Sequence, residues 1–136
     1  MEQGIISQYT SLKRECEEIQ QSIGRLEDRK RDLLKCITAN PGHCHIVPEY
    51  VEADIAETEY LINKNIGILH NRKKRVDELI IAIEEYIDCV DDSRMRRMIS
   101  LKYIEGKTWY QVAQAMGQYY TQDSCKKQVH RYLRSE

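Results

Sequence analysis

Gln122, Asp123, Ser124, Lys126, Lys127, His130, Arg131 and Arg134 fall within thirteen residues, at a spacing that gathers them on one side of a helix. These side-chain types suit the edges and backbone of a DNA duplex. A carboxamide pairs with adenine, Lys and Arg donate to guanine, a carboxylate accepts from cytosine, and guanidinium and ammonium groups neutralise phosphate. The other side of the same segment carries Cys125, Val129, Tyr132 and Leu133 at i, i+4, i+7 and i+8, the stripe of a helix that packs inward. The polar side is therefore expected outside, with Gln122 to Lys127 reading bases and Arg131, Arg134 and Lys107 holding phosphate.

A second set of chemically capable residues is Cys36, His43, Cys44 and His45. The types suit zinc, but adjacent His-Cys-His cannot readily place three ligands on one tetrahedron. A solvated loop is the expectation, with a metal bridging two copies as the alternative; no cofactor is expected. No paired carboxylates, glycine-rich phosphate loop or Ser/His/Asp ordering occurs in a supporting context, and His130 has no evident partner for general-base work. A catalytic role is not expected.

Charge is divided unevenly along the chain. Ser93 to Glu136 carries nine Lys/Arg against three Asp/Glu, whereas the preceding residues carry twelve against nineteen, so a net charge of −1 conceals a basic segment behind an acidic one. Where the acidic segment ends, Asp91, Asp92 and Ser93 form a cap cluster. Helical spacing then runs through Met95, Met98, Ile99 and Tyr103 to Gly106. Thr108-Trp109-Tyr110-Gln111 has the form of a capping box and opens a short helix with Val112, Ala113 and Met116 inward. Gly117 closes it, and Thr121 is the expected cap of the basic helix. Residues 92–136 thus read as a small three-helix domain with helix-turn-helix spacing.

The arm that must carry this module is patterned in heptads. Ile5, Leu12, Ile19, Leu26 and Leu33 recur every seven residues as d positions, with Tyr9, Cys16, Ile23, Lys30 and Ile37 as a positions. The pattern resumes with Ile55, Ile62, Leu69, Val76, Ile83 and Val90 at a, and Val51, Thr58, Asn65, Arg72, Leu79 and Tyr86 at d. Helices over about 4–38 and 49–91 are predicted, with a loop at 39–48 marked by Asn40, Pro41, Gly42 and Pro48. So short a loop folds the two helices back as an antiparallel coiled-coil hairpin over 1–91. In that register residue i faces about 87 − i, which brings Ile5 to Ala82, Lys30 to Glu57 and Arg72 to Glu15, so both charged seam residues meet carboxylates. Apolar residues left over at Ile6, Leu34, Ile66, Ile68, Ile80 and Ile81 imply a second copy packed alongside, a homodimer through a four-helix arrangement. The alternative is a free-standing hairpin.

The run Ile99 to Gly117, with its Tyr103-x-Glu105-Gly106-x-Thr108-Trp109-x-x-Val112-Ala113 signature, and the run Ser124 to Leu133 together resemble region 4 of bacterial sigma factors. They resemble in particular the sigma-like regulators encoded by phages and prophages of Gram-positive bacteria. The resemblance covers about a third of the chain, from Ser93 onward. It implies binding to the −35 promoter element and to RNA polymerase, with Thr108, Trp109 and Val112 as scaffold and Gln122 to Arg131 reading DNA. Nothing in the chain resembles the sigma region that melts the −10 element. The expectation is an all-α, dimeric, sequence-specific DNA-binding regulator of transcription. Two alternatives are a phage terminase small subunit, whose DNA-binding part usually comes first rather than last, and a module that binds polymerase without reading DNA. The longest apolar run, Leu79 to Ile83, is too short to cross a membrane, and the opening Met-Glu-Gln-Gly lacks signal-peptide character, so the expected setting is the cytoplasm of a bacterial host.

Overall fold

The computed structural model describes residues 2–38 and 49–135, with side chains described for 4–37 and 50–135. Within them the chain is all α. Helix α1 (Glu2–Thr38) packs antiparallel against α2 (Glu49–Asp88), and three short helices follow: α3 (Ser93–Ile99), α4 (Trp109–Met116) and α5 (Gln122–Ser135). The expected loop residues Asn40, Pro41, Gly42, His43, Cys44, His45 and Pro48 lie outside the described residues.

Two compact units are present. One spans Arg14–Lys74, and the other combines Lys13 and the residues before it with Arg75 and all that follows. The division therefore falls elsewhere than at residue 91, because the small helices share their core with the long ones. Ile6 and Tyr9 of α1 and Leu79, Ile83 and Ile87 of α2 join Val90, Met95, Met98, Ile99, Val112, Cys125, Val129 and Leu133 in one buried cluster. Ile99, Val112 and Val129 are wholly inaccessible to water. At about 1.5–3 kcal/mol for each large aliphatic side chain removed from water, these residues supply the main favourable term of that unit.

In the Arg14–Lys74 unit the heptad seam is formed by Cys16 and Ile23 against Val51, Thr58, Ile62 and Leu69, all buried. The polar seam residues are satisfied along their own helix. The Thr58 hydroxyl donates to the Asp54 carbonyl at 2.6 Å and the Asn65 amide donates to the Leu61 carbonyl at 2.9 Å. Arg72 Nε reaches Glu15 Oε1 at 3.0 Å, the pairing expected from the register. Lys30, however, pairs with Glu59 at 3.2 Å and not with Glu57. Glu57 and Glu59 flank the buried Thr58 on opposite sides of α2, and the flexible Lys30 stem leaves the seam on the Glu59 side. Both pairs are partly exposed, so they set register more than they add stability.

Helix α2 stops at Asp88, short of the expected residue 91. The chain tightens there through Cys89 N–H to Tyr86 O and Val90 N–H to Ile87 O, both at 3.0 Å, which turns Val90 into the core. Arg96 Nη1 staples the link by donating to the Val90 and Asp91 carbonyls. Asp92 then caps α3, its carboxylate accepting from Arg94 N–H at 2.9 Å.

The helix expected to run regularly from Met95 to Gly106 instead widens after Ile99 into a π-helical turn, Ser100–Ile104. Its signature is Glu105 N–H bonded to Ser100 O at 3.0 Å. Gly106 follows at φ +70, a left-handed conformation that ends the turn where a side chain would also meet Lys13 Nζ.

Candidate nucleic-acid interface

Two caps orient the helices on which the candidate residues sit. The Thr108 hydroxyl accepts from Gln111 N–H at 3.2 Å while Gln111 Oε1 accepts from Thr108 N–H at 3.0 Å, a reciprocal capping box that fixes the start of α4. Gly117, at φ +126, ends α4, and the Thr121 hydroxyl accepts from Ser124 N–H at 3.1 Å to start α5. Arg97 Nη2 donates to the Ala115 carbonyl at 3.2 Å, which ties α3 to the end of α4. The turn between α4 and α5 is thereby held from both sides.

Helix α5 is divided as its sequence implies. Cys125, Val129 and Leu133 are buried, and Gln122, Asp123, Lys126, Lys127, Arg131 and Arg134 are exposed. Asp123, Lys126, Lys127, His130, Arg131 and Arg134 line one continuous strip along the helix. Four of these are permanent cations. Asp123 is the strip's carboxylate.

Three sequence candidates are placed differently. Ser124 is half-buried, its hydroxyl accepting from Gln128 Nε2 at 2.8 Å, so it is engaged along its own helix. Lys107 precedes the α4 cap, its N–H donating to the Leu101 carbonyl at 3.1 Å, and it does not line the α5 strip. His130 is half-buried, with its ring edge-on to Trp109 at a centroid separation of 5.8 Å. Burial foremost, then Lys126, Arg134 and Lys102, holds its imidazole below the usual histidine range.

Lys102 was not singled out by its sequence. It belongs to the π-helical turn and stands over the Trp109 ring, Nζ to centroid 5.0 Å, so it shares the indole with His130. An uncharged groove of about 700 Å³ at the turn was also not anticipated. It is lined by Tyr110, Gln114, Gln118, Tyr120, Thr121 and Gln122 above Ala113 and Gly117. Regular glutamine spacing at 114, 118 and 122 was the available signal.

Of the zinc candidates, Cys36 is exposed on α1, and His43, Cys44 and His45 lie outside the described residues. The thiols of Cys16 and Cys125 are raised above the ordinary cysteine range, chiefly by burial, which suits packing rather than reactivity. No helix among the described residues is long and apolar enough to cross a membrane.

Among the described residues the fold and this site define an all-α protein: a helical hairpin followed in the chain by a capped helical module with a cationic outer strip. Comparison with known proteins yields no matching family model, no matching curated protein and no matching solved structure.

Proposed function

We propose that the chain is a sequence-specific DNA-binding regulator of transcription that lays α5 in the major groove of a duplex. The observation that carries this reading is the division of α5. A fully buried stripe of Cys125, Val129 and Leu133 fixes the helix, while Lys126, Lys127, Arg131 and Arg134 stand unburied on the strip beside Gln122 and Asp123. A helix held by its inner face and started by a capped turn presents its N-terminal side chains at defined positions, as base reading requires. Phosphate attraction to the four cations supplies affinity, while the carboxamide of Gln122 and the carboxylate of Asp123 supply discrimination between bases.

The likeness of Tyr103 to Ala113 to the sigma region 4 signature supports a promoter as the target and RNA polymerase as a further partner, in a phage or prophage regulator acting in the bacterial cytoplasm. Dimerisation through the arm is part of the proposal. Leu34, Ile37, Tyr50, Tyr60 and Ile66 of the Arg14–Lys74 unit remain exposed in the single chain, and a second copy would cover apolar surface of this kind.

Selection from a random duplex pool tests the reading directly. Enrichment of one sequence, lost on Gln122→Ala or Asp123→Ala, is the expected result. A pool that stays random while the chain retains polymerase on co-purification would replace DNA reading with protein binding.

A further inference from the structure

His130 occupies an unusual place for a residue on a phosphate-facing strip. Its ring is edge-on to Trp109, whose face is covered by Lys102, and it lines the same strip as Lys126 and Arg134, each one helical turn away. The charged groups that act on it are therefore Lys126 and Arg134 from α5 and Lys102 from the π-helical turn, while α4 offers the uncharged indole. Asp123, the strip's carboxylate, lies two turns toward the start of α5.

We propose that His130 makes occupancy of the α5 strip proton-linked: a docking duplex draws one proton from solvent onto the imidazole, so binding strengthens as pH falls. This rests on the reading of the strip as a DNA-facing surface. In the free protein, half-burial and three nearby cations disfavour a further positive charge on the ring. Phosphates seated against Lys126 and Arg134 neutralise those cations and bring negative charge beside the ring, which reverses the balance. The neutral imidazole accepts a proton and becomes imidazolium, and no other bond changes. Lys and Arg do not titrate near neutrality, so strip contacts without His130 have no such pH dependence.

By reciprocity, every pH unit by which docking raises the His130 midpoint strengthens binding about tenfold on the acid side of the transition relative to the alkaline side. Trp109, the chain's one tryptophan, reports the event because a protonated imidazole against an indole quenches its fluorescence.

The test is a pH titration of Trp109 fluorescence in the full chain, alone and with a short mixed-sequence duplex at low salt, together with Kd for that duplex from about pH 5.5 to 8. The expected result is a quenching midpoint that rises when the duplex is added, and a Kd that weakens with rising pH in the parent but is much flatter in His130→Gln. An unmoved midpoint, or a pH slope as steep in His130→Gln as in the parent, would overturn the linkage while leaving DNA binding intact. No duplex binding at any pH would instead remove the functional reading itself, and the linkage with it. Should His130→Gln not fold, Lys102→Met serves. Removing that cation should raise the free-protein midpoint and shrink the pH slope, and a variant unchanged in both would count against the proposal.

Discussion

Replacing Lys127 and Arg131 together by alanine puts the α5 strip to a quantitative test. Both side chains are exposed, and neither makes a hydrogen bond or ion pair with another described residue, so the substitutions remove charge without opening the core. Alanine also favours the helix. If Lys126, Lys127, Arg131 and Arg134 each meet one phosphate, the logarithm of affinity should fall with the logarithm of salt concentration at a slope of about −3.6, and at about −1.8 in the variant. Between about 50 and 200 mM salt the parent should then lose roughly 150-fold in affinity and the variant only about 12-fold. Fluorescence anisotropy of a labelled duplex across that range measures both lines, with circular dichroism verifying unchanged helicity. Parallel lines would refute the reasoning, because they would mean that neither cation meets phosphate.

Thr108→Ala removes the hydroxyl that accepts from Gln111 N–H, leaving the backbone half of the α4 capping box, and should cost about 1 kcal/mol in a urea melt; an unchanged midpoint would show that this cap does not hold the turn. Gly24 and Gly67 sit inside the long helices with open space where a Cβ would stand, so Gly24→Ala and Gly67→Ala should each stabilise the arm by about 0.5–1 kcal/mol. A loss in either variant would indicate that another chain packs there. Because folded His130 titrates below its unfolded value, the unfolded chain binds more protons between the depressed midpoint and about pH 6.5. The His130 contribution to stability should thus be complete above about pH 6.5 and fade as pH falls through that window, and denaturation of His130→Gln should lack this slope. Leu26→Asp with Leu69→Asp places carboxylates at the arm seam, where Leu69 is buried, and light scattering should report a smaller mass and circular dichroism less helix. A parent that is itself monomeric, or a variant of unchanged mass, would show that the arm is not the dimer seam.

The seam of the arm was legible because a seven-residue apolar repeat has one physical solution. Cys16, Ile23, Ile62 and Leu69 are buried where the heptads put them. The d residues Ile19, Leu26 and Leu33 are only half-buried, because one partner helix covers one side of α1. By heptad periodicity Ile6 is leftover surface, yet it is buried, since it packs into the cluster built by the small helices, a third layer that periodicity along α1 does not encode. The inner and outer faces of α5 were readable for the same reason as the seam. The surroundings of His130 were not, because its neighbours Trp109 and Lys102 arrive from elsewhere in the chain. Nor was the π-helical turn, since Ile99 and Tyr103 keep ordinary helical spacing whether the intervening turn is regular or widened.

The cluster that joins Ile6 and Tyr9 to Val129 and Leu133 also sets an order of events on the ribosome. The Arg14–Lys74 segment forms a compact unit of its own and can close while the remainder is still being made. Ile6 and Tyr9 emerge before their partners and cannot complete their packing until the α5 segment has cleared the exit tunnel. Newly made chains therefore carry exposed apolar surface until α5 has emerged. A stall between α2 and α5 should leave an intermediate whose arm is formed and whose Ile6 and Tyr9 side chains are available to chaperones or to aggregation.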